Sequence, residues 1–404
     1  MSTAATMSQQ EVFDAYQACI QQTYGRTPLV FVRGQGARLW DSEGRRYLDF
    51  VSGGRAGTAL GHCHPEVTRA LAAQLETLMF VSNDFYHPWA ARLGELLSGR
   101  SGGRKVFFCN SGAEASETAL KLARKWGREH GGPDRYEVIT CDGSFHGRTM
   151  GALSATGQTK FHRGFEPMLA GFKHVPFNDA AALEAAVGPQ TCAVYIEPVQ
   201  GESGIYPAAP EYLRAVEAIC RKKDLLFMVD EVQTGFGRTG RYWAYEHYGV
   251  EPDVIATAKA LGGGLPMAAC VAKAEVCVLV PGDHGCTFGG NPFCAAGAVA
   301  ALEALDRNDY VGNAATQGER ILARFRAWQR ENTKIKEARG LGLMLALEFT
   351  GAEGKAVVEE CLKRGLVLHT VGDSIVRILP PVCVTTEEVE EALGILEAAI
   401  AASC

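Results

Sequence analysis

At roughly 150 residues per domain, the 404 residues of the chain amount to about two to three domains with a large buried core, which excludes a small disulfide-stapled scaffold. Forty Lys plus Arg against 46 Asp plus Glu give a net charge of −6. With 47% hydrophobic and 21% charged residues, this excludes a disordered chain and a globally basic nucleic-acid binder.

In chain order, residues 1–10 are polar and small, with neither a cationic start nor an apolar segment. The 13 cysteines are scattered, odd in number and without a CxxC, so they suggest neither a zinc ribbon nor a disulfide framework. Both features point to a reducing cytoplasm. Residues 28–51 alternate like a small β-meander through Leu29, Phe31 and Arg38-Leu39-Trp40, with turns at 34–36 and 42–44. His62-Cys63-His64 has the residue types of a metal trio. Sequence neighbours point in opposite directions, however, and no second His or Asp cluster supports it, so a turn or helix entry before Pro65 is expected.

From about 105 to 272 a short apolar run recurs, followed by a polar or glycine-rich loop and a helical pattern. The runs are 105–109, 136–141, 192–196, 225–229, 254–257 and 268–272. Runs this apolar, separated by helices, fit strands buried on both faces of a mainly parallel sheet, an α/β architecture. After the first run, Ala115, Thr118, Ala119, Leu122, Ala123 and Trp126 share one helix face, and Lys121, Arg124 and Lys125 are expected to face water. The stretch 284–302 is long enough to span a membrane but contains Asn291, Pro292, a histidine and four glycines, so it is rejected as a span. Residues 312–404 mix helices with strands near 342–349 and 375–379. The expected organisation is a large domain over 63–305 and a smaller α+β domain assembled from 1–62 and 306–404.

Ligands of open α/β sheets sit outside the carboxyl ends of the strands, so the residues after each run are the candidates. Asn110-Ser111-Gly112-Ala113-Glu114 opens a helix, where free backbone N–H groups suit a phosphate; equally, Ser111 and Glu114 suit a plain capping box. Asp230 emerges from an apolar run, and its desolvation requires a cation or strong donors unless it only caps a helix or lies in a surface loop. Lys259 stands between two alanines after 253–257. Held there its ammonium form is disfavoured, as an amine nucleophile requires, although most lone lysines are solvated surface residues. Arg377 lies in a strand-like run and needs a carboxylate partner or ligand, and Arg148 follows the strand ending near Cys141; each is equally a structural ion pair.

Together these pieces resemble a known family. FMVDEVQTGFGRTGRYWAYEHYGVEPDVIATAKALGGG (227–264) resembles the signature of class III (subgroup II) pyridoxal-phosphate aminotransferases, fold type I. Supporting segments are YGRTPLVFVRGQGARLWDSEGRRYLDF (24–50), LGHCHPEV (60–67), FFCNSGAEASETALKLAR (107–124), FHGRT (145–149), IEPVQGESGI (196–205), TFGGNP (287–292) and VRILPP (376–381). Within that family ATGQTKFHRGFEP (155–167) and VPFND (175–179) are most similar to acetylornithine aminotransferases.

The resemblance implies pyridoxal 5'-phosphate as cofactor, with Lys259 carrying it and moving the proton between the substrate carbon and the cofactor. It implies Asp230 on the pyridinium nitrogen, Gln233 on the phenolic oxygen, Val232 and Phe145 on either side of the ring, and Ser111, Gly112 and Ala113 at the phosphate. Thr287 would reach the phosphate of a neighbouring subunit, making a homodimer with shared active sites. For substrates, Arg377 would bind the α-carboxylate of glutamate and Arg148 the carboxylate farther from the reacting amine. Glu202 would neutralise Arg377 while an ω-amine reacts. The implied reaction is transfer of the ω-amine of N-acetylornithine to 2-oxoglutarate. Ornithine, succinylornithine, 4-aminobutyrate or a lysine derivative are alternative substrates, and a non-catalytic binding protein is the alternative class. Two residues depart from the family pattern. Arg55 stands where relatives usually carry an aliphatic residue or tyrosine, and suits either an acyl or distal carboxylate or a surface ion pair. Cys286 replaces the usual serine before Thr287, softening a hydrogen bond to substrate.

Overall fold

The computed structural model describes residues 7–55 and 57–404. The N-terminal segment forms α1 (Gln9–Cys19), the meander β1 (Phe31–Gln35), β2 (Arg38–Asp41) and β3 (Arg46–Asp49), the short α2 (Ser52–Arg55), α3 (Pro65–Leu75) and α4 (Pro88–Arg100). Each apolar run then becomes a strand. In order they are β4 (Lys105–Cys109), α5 (Gly112–Gly131), β5 (Glu137–Cys141), α6 (Met150–Ala155), β6 (Phe172–Val175), α7 (Ala180–Ala186) and β7 (Thr191–Ile196). The hairpin β8 (Val199–Gln200) and β9 (Tyr206–Pro207) follows, then α8 (Pro210–Lys223), β10 (Leu226–Asp230), β11 (Val254–Thr257) and β12 (Ala268–Ala272).

These strands form a seven-stranded sheet in the order β4-β12-β11-β10-β7-β5-β6. The pairs from β11 to β6 are parallel, whereas β12 runs antiparallel to both β11 and β4. The connection over 258–267 is too short for the crossover helix that a parallel return needs. Alternate residues pack on opposite faces: Val194, Phe227, Val229 and Ile255 join one hydrophobic cluster, while Ala193, Leu226, Met228 and Val254 join another beneath α5. Strand β6 lies outside the expected runs. It is an edge strand, half-buried over most of its length, and Lys173 and His174 dilute its apolar signal.

Helix α5 buries the expected face and closes its N-terminus with the Ser111–Glu114 capping box. Lys121 is exposed, but the expectation that Arg124 and Lys125 face water is corrected. Arg124 is half-buried with its guanidinium over Tyr136 and Phe172 at 5.7 and 5.2 Å, and Lys125 pairs with Asp283. An aliphatic stem long enough to reach apolar rings decides the first, and a carboxylate brought from residue 283 the second. His62 Nε2 lies 2.8 Å from Asp49 Oδ2, and His64 sits at the N-terminus of α3 before Pro65.

The C-terminal part comprises α9 (Pro292–Arg307), α10 (Tyr310–Glu331), β13 (Ile335–Leu341), β14 (Met344–Phe349), α11 (Glu353–Lys363), β15 (Leu366–Val367), β16 (His369–Val371), β17 (Ile375–Ile378) and α12 (Thr386–Ser403). Strands β13-β14-β17-β16 make an antiparallel sheet, and β15 joins the N-terminal meander parallel to β3. The two ends of the chain therefore share one sheet. Fully buried Arg238 ties these parts together, its guanidinium donating to the carbonyls of Gly53, Leu343 and Pro380; burial pushes its pKa down to about 9. No helix among the described residues is long and apolar enough to cross a membrane.

Candidate active site

The carboxyl ends of β10 and β11 open onto a cavity of about 540 Å³, lined among others by Gly112, Phe145, Arg148, Glu202, Asp230 and Lys259. Parallel register places Asp230 beside Ala256, so Asp230 and the turn bearing Lys259 leave the sheet at the same end. Asp230 is buried with three donors on its carboxylate. His146 Nδ1 at 2.8 Å and the Tyr195 hydroxyl at 3.1 Å donate to Oδ2, and Val232 N donates to Oδ1 at 3.0 Å. His146 stacks on Tyr195 at 4.2 Å, and Ser116 Oγ lies 2.9 Å from the Tyr195 oxygen. The Asp230 anion is thereby desolvated yet satisfied, which suits it to hold a cation arriving from the cavity.

Lys259 occupies a left-handed backbone conformation, φ 42°, unusual for a residue with a side chain, in the turn that follows β11. Burial lowers the pKa of its amine, against the opposing pull of Glu202 and Asp230, so the free amine is more accessible than in water. At the cavity's far wall, the N-terminus of α5 presents the backbone N–H groups of Gly112 and Ala113. Helical bonding begins only with Ala115 N donating to Ser111 O, which leaves these donors for an anion. Gly112 allows close packing here: a Cβ at that position would lie 2.6 Å from Val232 Cγ1. Capping box and anion site coexist because the box uses Ser111 and Glu114 and spares the two intervening amides.

Glu197, which the sequence reading did not single out, is buried beside Asp230. Its Oε2 accepts from Phe145 N at 2.9 Å and its Oε1 from Gly201 N at 3.3 Å. Burial and then the charge of Asp230 push its pKa well up. The loop after it carries Glu202, whose Oε1 lies 2.7 Å from Nη1 of fully buried Arg377. Burial opposes ionisation of Glu202, but the charge and hydrogen bond of Arg377 draw its pKa down to about 2. Gln233 Nε2 lies 3.5 Å from the same Glu202 oxygen, and Gln233 Oε1 is buried without a partner. Arg148 is exposed at the rim, its guanidinium 4.0 Å over the Phe161 ring and 5.6 Å over that of Phe145.

Arg55, also exposed, forms no ion pair among the described residues; its strongest charged neighbours are Glu202 and Arg377. Cys286 and Thr287 are not brought to this cavity in their own chain. They line a separate recess with Phe80 and Asn83, where Cys286 Sγ lies 3.1 Å from Asn110 Nδ2 and Thr287 is exposed. His146 and Tyr195 were also absent from the sequence reading. His146 lies between two residues that were singled out, Phe145 and Arg148, whereas Tyr195 reads as core inside an apolar run.

Arrangement and ancestry agree. The family model of the class-III aminotransferases matches residues 19–400. The acetylornithine aminotransferase of Caldanaerobacter subterraneus is 48% identical over 378 residues, covering 94% of this chain and 96% of that protein. That of Gloeobacter violaceus is 46% identical, covering 96% and 98%. Among solved structures, the ornithine aminotransferase of Toxoplasma gondii superposes with a TM-score of 0.94 at 35% identity, covering 98% of this chain and 96% of that one. The acetylornithine aminotransferase of Elizabethkingia anophelis gives 0.88 at 31%, covering 98% and 100%. The chain belongs to the class-III aminotransferases.

Proposed function

We propose that the protein transfers the ω-amine of N-acetylornithine to 2-oxoglutarate, giving N-acetylglutamate 5-semialdehyde and glutamate in arginine biosynthesis, with pyridoxal 5'-phosphate as cofactor. The observation that carries this reading is the Glu202–Arg377 pair, 2.7 Å apart beside Lys259. N-Acetylornithine brings no carboxylate next to its reacting carbon, so a buried arginine there has to be neutralised from within the protein. Glutamate brings one, and Glu202 then has to yield. An internal carboxylate on Arg377 serves both demands in turn, and the relatives named acetylornithine aminotransferase support the substrate.

The cavity fits pyridoxal phosphate by the chemistry of its donors. Ser111, Gly112 and Ala113 would take the phosphate, Val232 and Phe145 the two faces of the ring, Asp230 the pyridinium nitrogen, and Gln233, whose buried amide lacks one partner, the phenolic oxygen. Bound on Lys259, the cofactor supplies an electron sink for the bond broken at the substrate carbon. Asp230, whose carboxylate accepts from His146, Tyr195 and Val232 N, would pair with the pyridinium nitrogen and favour its protonated form. Lys259 Nζ, freed when the substrate amine takes its place on the cofactor and with its ammonium form disfavoured by burial, would take the proton from the carbon bearing the amine and hand it to the cofactor in the same half-reaction, and would carry a proton the opposite way in the other half. Arg148 binds the carboxylate remote from that carbon, Arg377 the α-carboxylate of glutamate, and Arg55 adds a cation for a substrate carboxylate at this end of the cavity.

The same reading extends to a cytoplasmic homodimer and to a division into a large domain, 63–305, and a small one from both termini. Exposed Phe80 lines the same recess as Cys286 and Thr287, and its ring lies 5.3 Å from that of exposed Phe288, which supports burial against a second copy, with Thr287 reaching the partner's phosphate site and Cys286 the partner's substrate.

Turnover of the holoenzyme with N-acetylornithine, N-succinylornithine, ornithine and 4-aminobutyrate tests the substrate. The expected kcat/KM for N-acetylornithine exceeds that for free ornithine by about tenfold or more. A second reading, ornithine transamination, is favoured by the TM-score of 0.94 to the Toxoplasma gondii enzyme, and a higher kcat/KM for ornithine would install it.

A further inference from the structure

Strand β16 runs antiparallel to β17 with His369 directly opposite Arg377, so the two side chains leave the sheet on one face. His369 Nδ1 lies 3.1 Å from Arg377 Nη2. A guanidinium can only donate, so Nδ1 is the acceptor and the ring proton belongs on Nε2. Burial, reinforced by the charges of Arg377 and Arg55, pushes the pKa of His369 down to about 4, so the lone pair stays available at neutral pH.

The contacts of Arg377 divide between its two terminal nitrogens. Nη1 donates to Glu202 Oε1 at 2.7 Å and to Gly201 O at 3.1 Å, Nη2 donates to His369, and Nε is buried without a partner. Once Glu202 gives way to a substrate carboxylate, the Gly201 carbonyl and His369 are the contacts that still hold the guanidinium. A second carboxylate at 369 would cancel the charge the substrate needs. An uncharged acceptor fixes the plane of the guanidinium and leaves that charge intact.

We propose that His369 is a positioning residue that acts through Arg377: its Nδ1 locks the guanidinium in the orientation that receives an α-carboxylate, in the half-reaction where Glu202 has moved off. This rests on the proposed role of Arg377. It predicts a selective effect, on the substrate with an α-carboxylate beside the reacting carbon and not on the ω-amine.

The test compares the holoenzyme with its His369→Leu, His369→Asn and Arg377→Gln variants, in single half-reactions with L-glutamate and with N-acetylornithine. His369→Leu is expected to raise the half-saturating glutamate concentration about tenfold and to leave that for N-acetylornithine within about twofold. His369→Asn, whose amide oxygen can accept from Nη2, is expected to recover most of the loss. Should the leucine variant fail to fold, His369→Ala carries the same contrast. A shift of both substrates together, no recovery in His369→Asn, or unchanged glutamate binding in His369→Leu while Arg377→Gln weakens it would each overturn the inference and leave the role of Arg377 standing. Unchanged glutamate binding in Arg377→Gln would instead remove that role, and the task of His369 with it.

Discussion

The two ends of the cavity are built on opposite principles. Around Asp230 the donors are committed: His146, Tyr195 and the Val232 amide converge on one carboxylate, and the rings of the first two stack on each other. Around Arg377 the contacts are exchangeable. Glu202 pairs with it from a loop, Gln233 stands 3.5 Å from the same oxygen, Nε has no partner, and Arg55 adds a further cation without its own carboxylate. Catalytic electrostatics are strongest where no reorganisation is needed, whereas two substrates that differ in charge beside the reacting carbon require a group that can trade partners. A fixed end for the cofactor and a switchable end for the substrate follow from that difference.

Replacing the amine gives the largest expected effect. Lys259→Ala should lower turnover by about 10⁴-fold or more, because the proton-transferring group and the covalent attachment are lost together. Borohydride reduction of the holoenzyme followed by peptide mapping should label this lysine in the wild type and nothing in the variant. Asp230→Asn should lower kcat by about 10²- to 10³-fold through loss of the charge that holds a proton on the cofactor, with the Val232 amide contact preserved. A cofactor absorbance spectrum unchanged in band position and pH dependence would contradict this.

Breaking the switchable end should separate substrates and leave catalysis in general intact. In Glu202→Ala a buried guanidinium is left unpaired whenever an ω-amine substrate is bound. The expected loss in kcat/KM is about 10- to 100-fold for N-acetylornithine, with glutamate unchanged or improved. Equal losses for both substrates would mean that the pair is structural and that the comparison of the two ends fails.

Much of this contrast was visible in the linear chain, and for a definable reason. Asp230, Lys259 and the loop at Ser111 are polar or glycine-rich interruptions placed directly after apolar runs, and strand ends in a parallel sheet open onto a shared crevice. Strands β4, β11 and β12 match their runs to the residue because runs of four or five mostly apolar residues bounded by turn signals have the length of a buried strand and are too short for a helix. The misses share a cause as well. Strand β13 carries Lys336, Glu337 and Arg339; Glu348 of β14 pairs with Lys336 and Arg339 from across the sheet, and Glu337 pairs with Arg339 on its own strand. Tyr195 reads as core, and His369 acquires its meaning only from the register of β16 on β17, which no local pattern encodes. Residues that act through a cross-strand or cross-loop neighbour stay silent until the neighbour is known.

The smallest expected effect lies in stability against pH. Folding holds the Glu202 carboxyl at about 2, against an ordinary value of 4.5, because pairing with Arg377 outweighs the burial that opposes it. A depressed folded-state pKa favours the native state wherever the carboxylate is ionised. The contribution is therefore complete above about 4.5 and is lost as pH falls from there toward 2. The gap corresponds to an upper bound of about 3 kcal/mol, since one pKa unit is about 1.4 kcal/mol and the side chain is a quarter exposed. In Glu202→Gln the amide keeps a hydrogen-bonding oxygen near Arg377 but has no proton to gain. The stability difference between wild type and Glu202→Gln, measured by urea unfolding of both holoproteins, should be largest near pH 7 and shrink below pH 4.5. A difference that stayed constant from pH 7 down to 3 would mean that the native state does not favour ionised Glu202, and the switchable end would then lack the charge it is argued to trade.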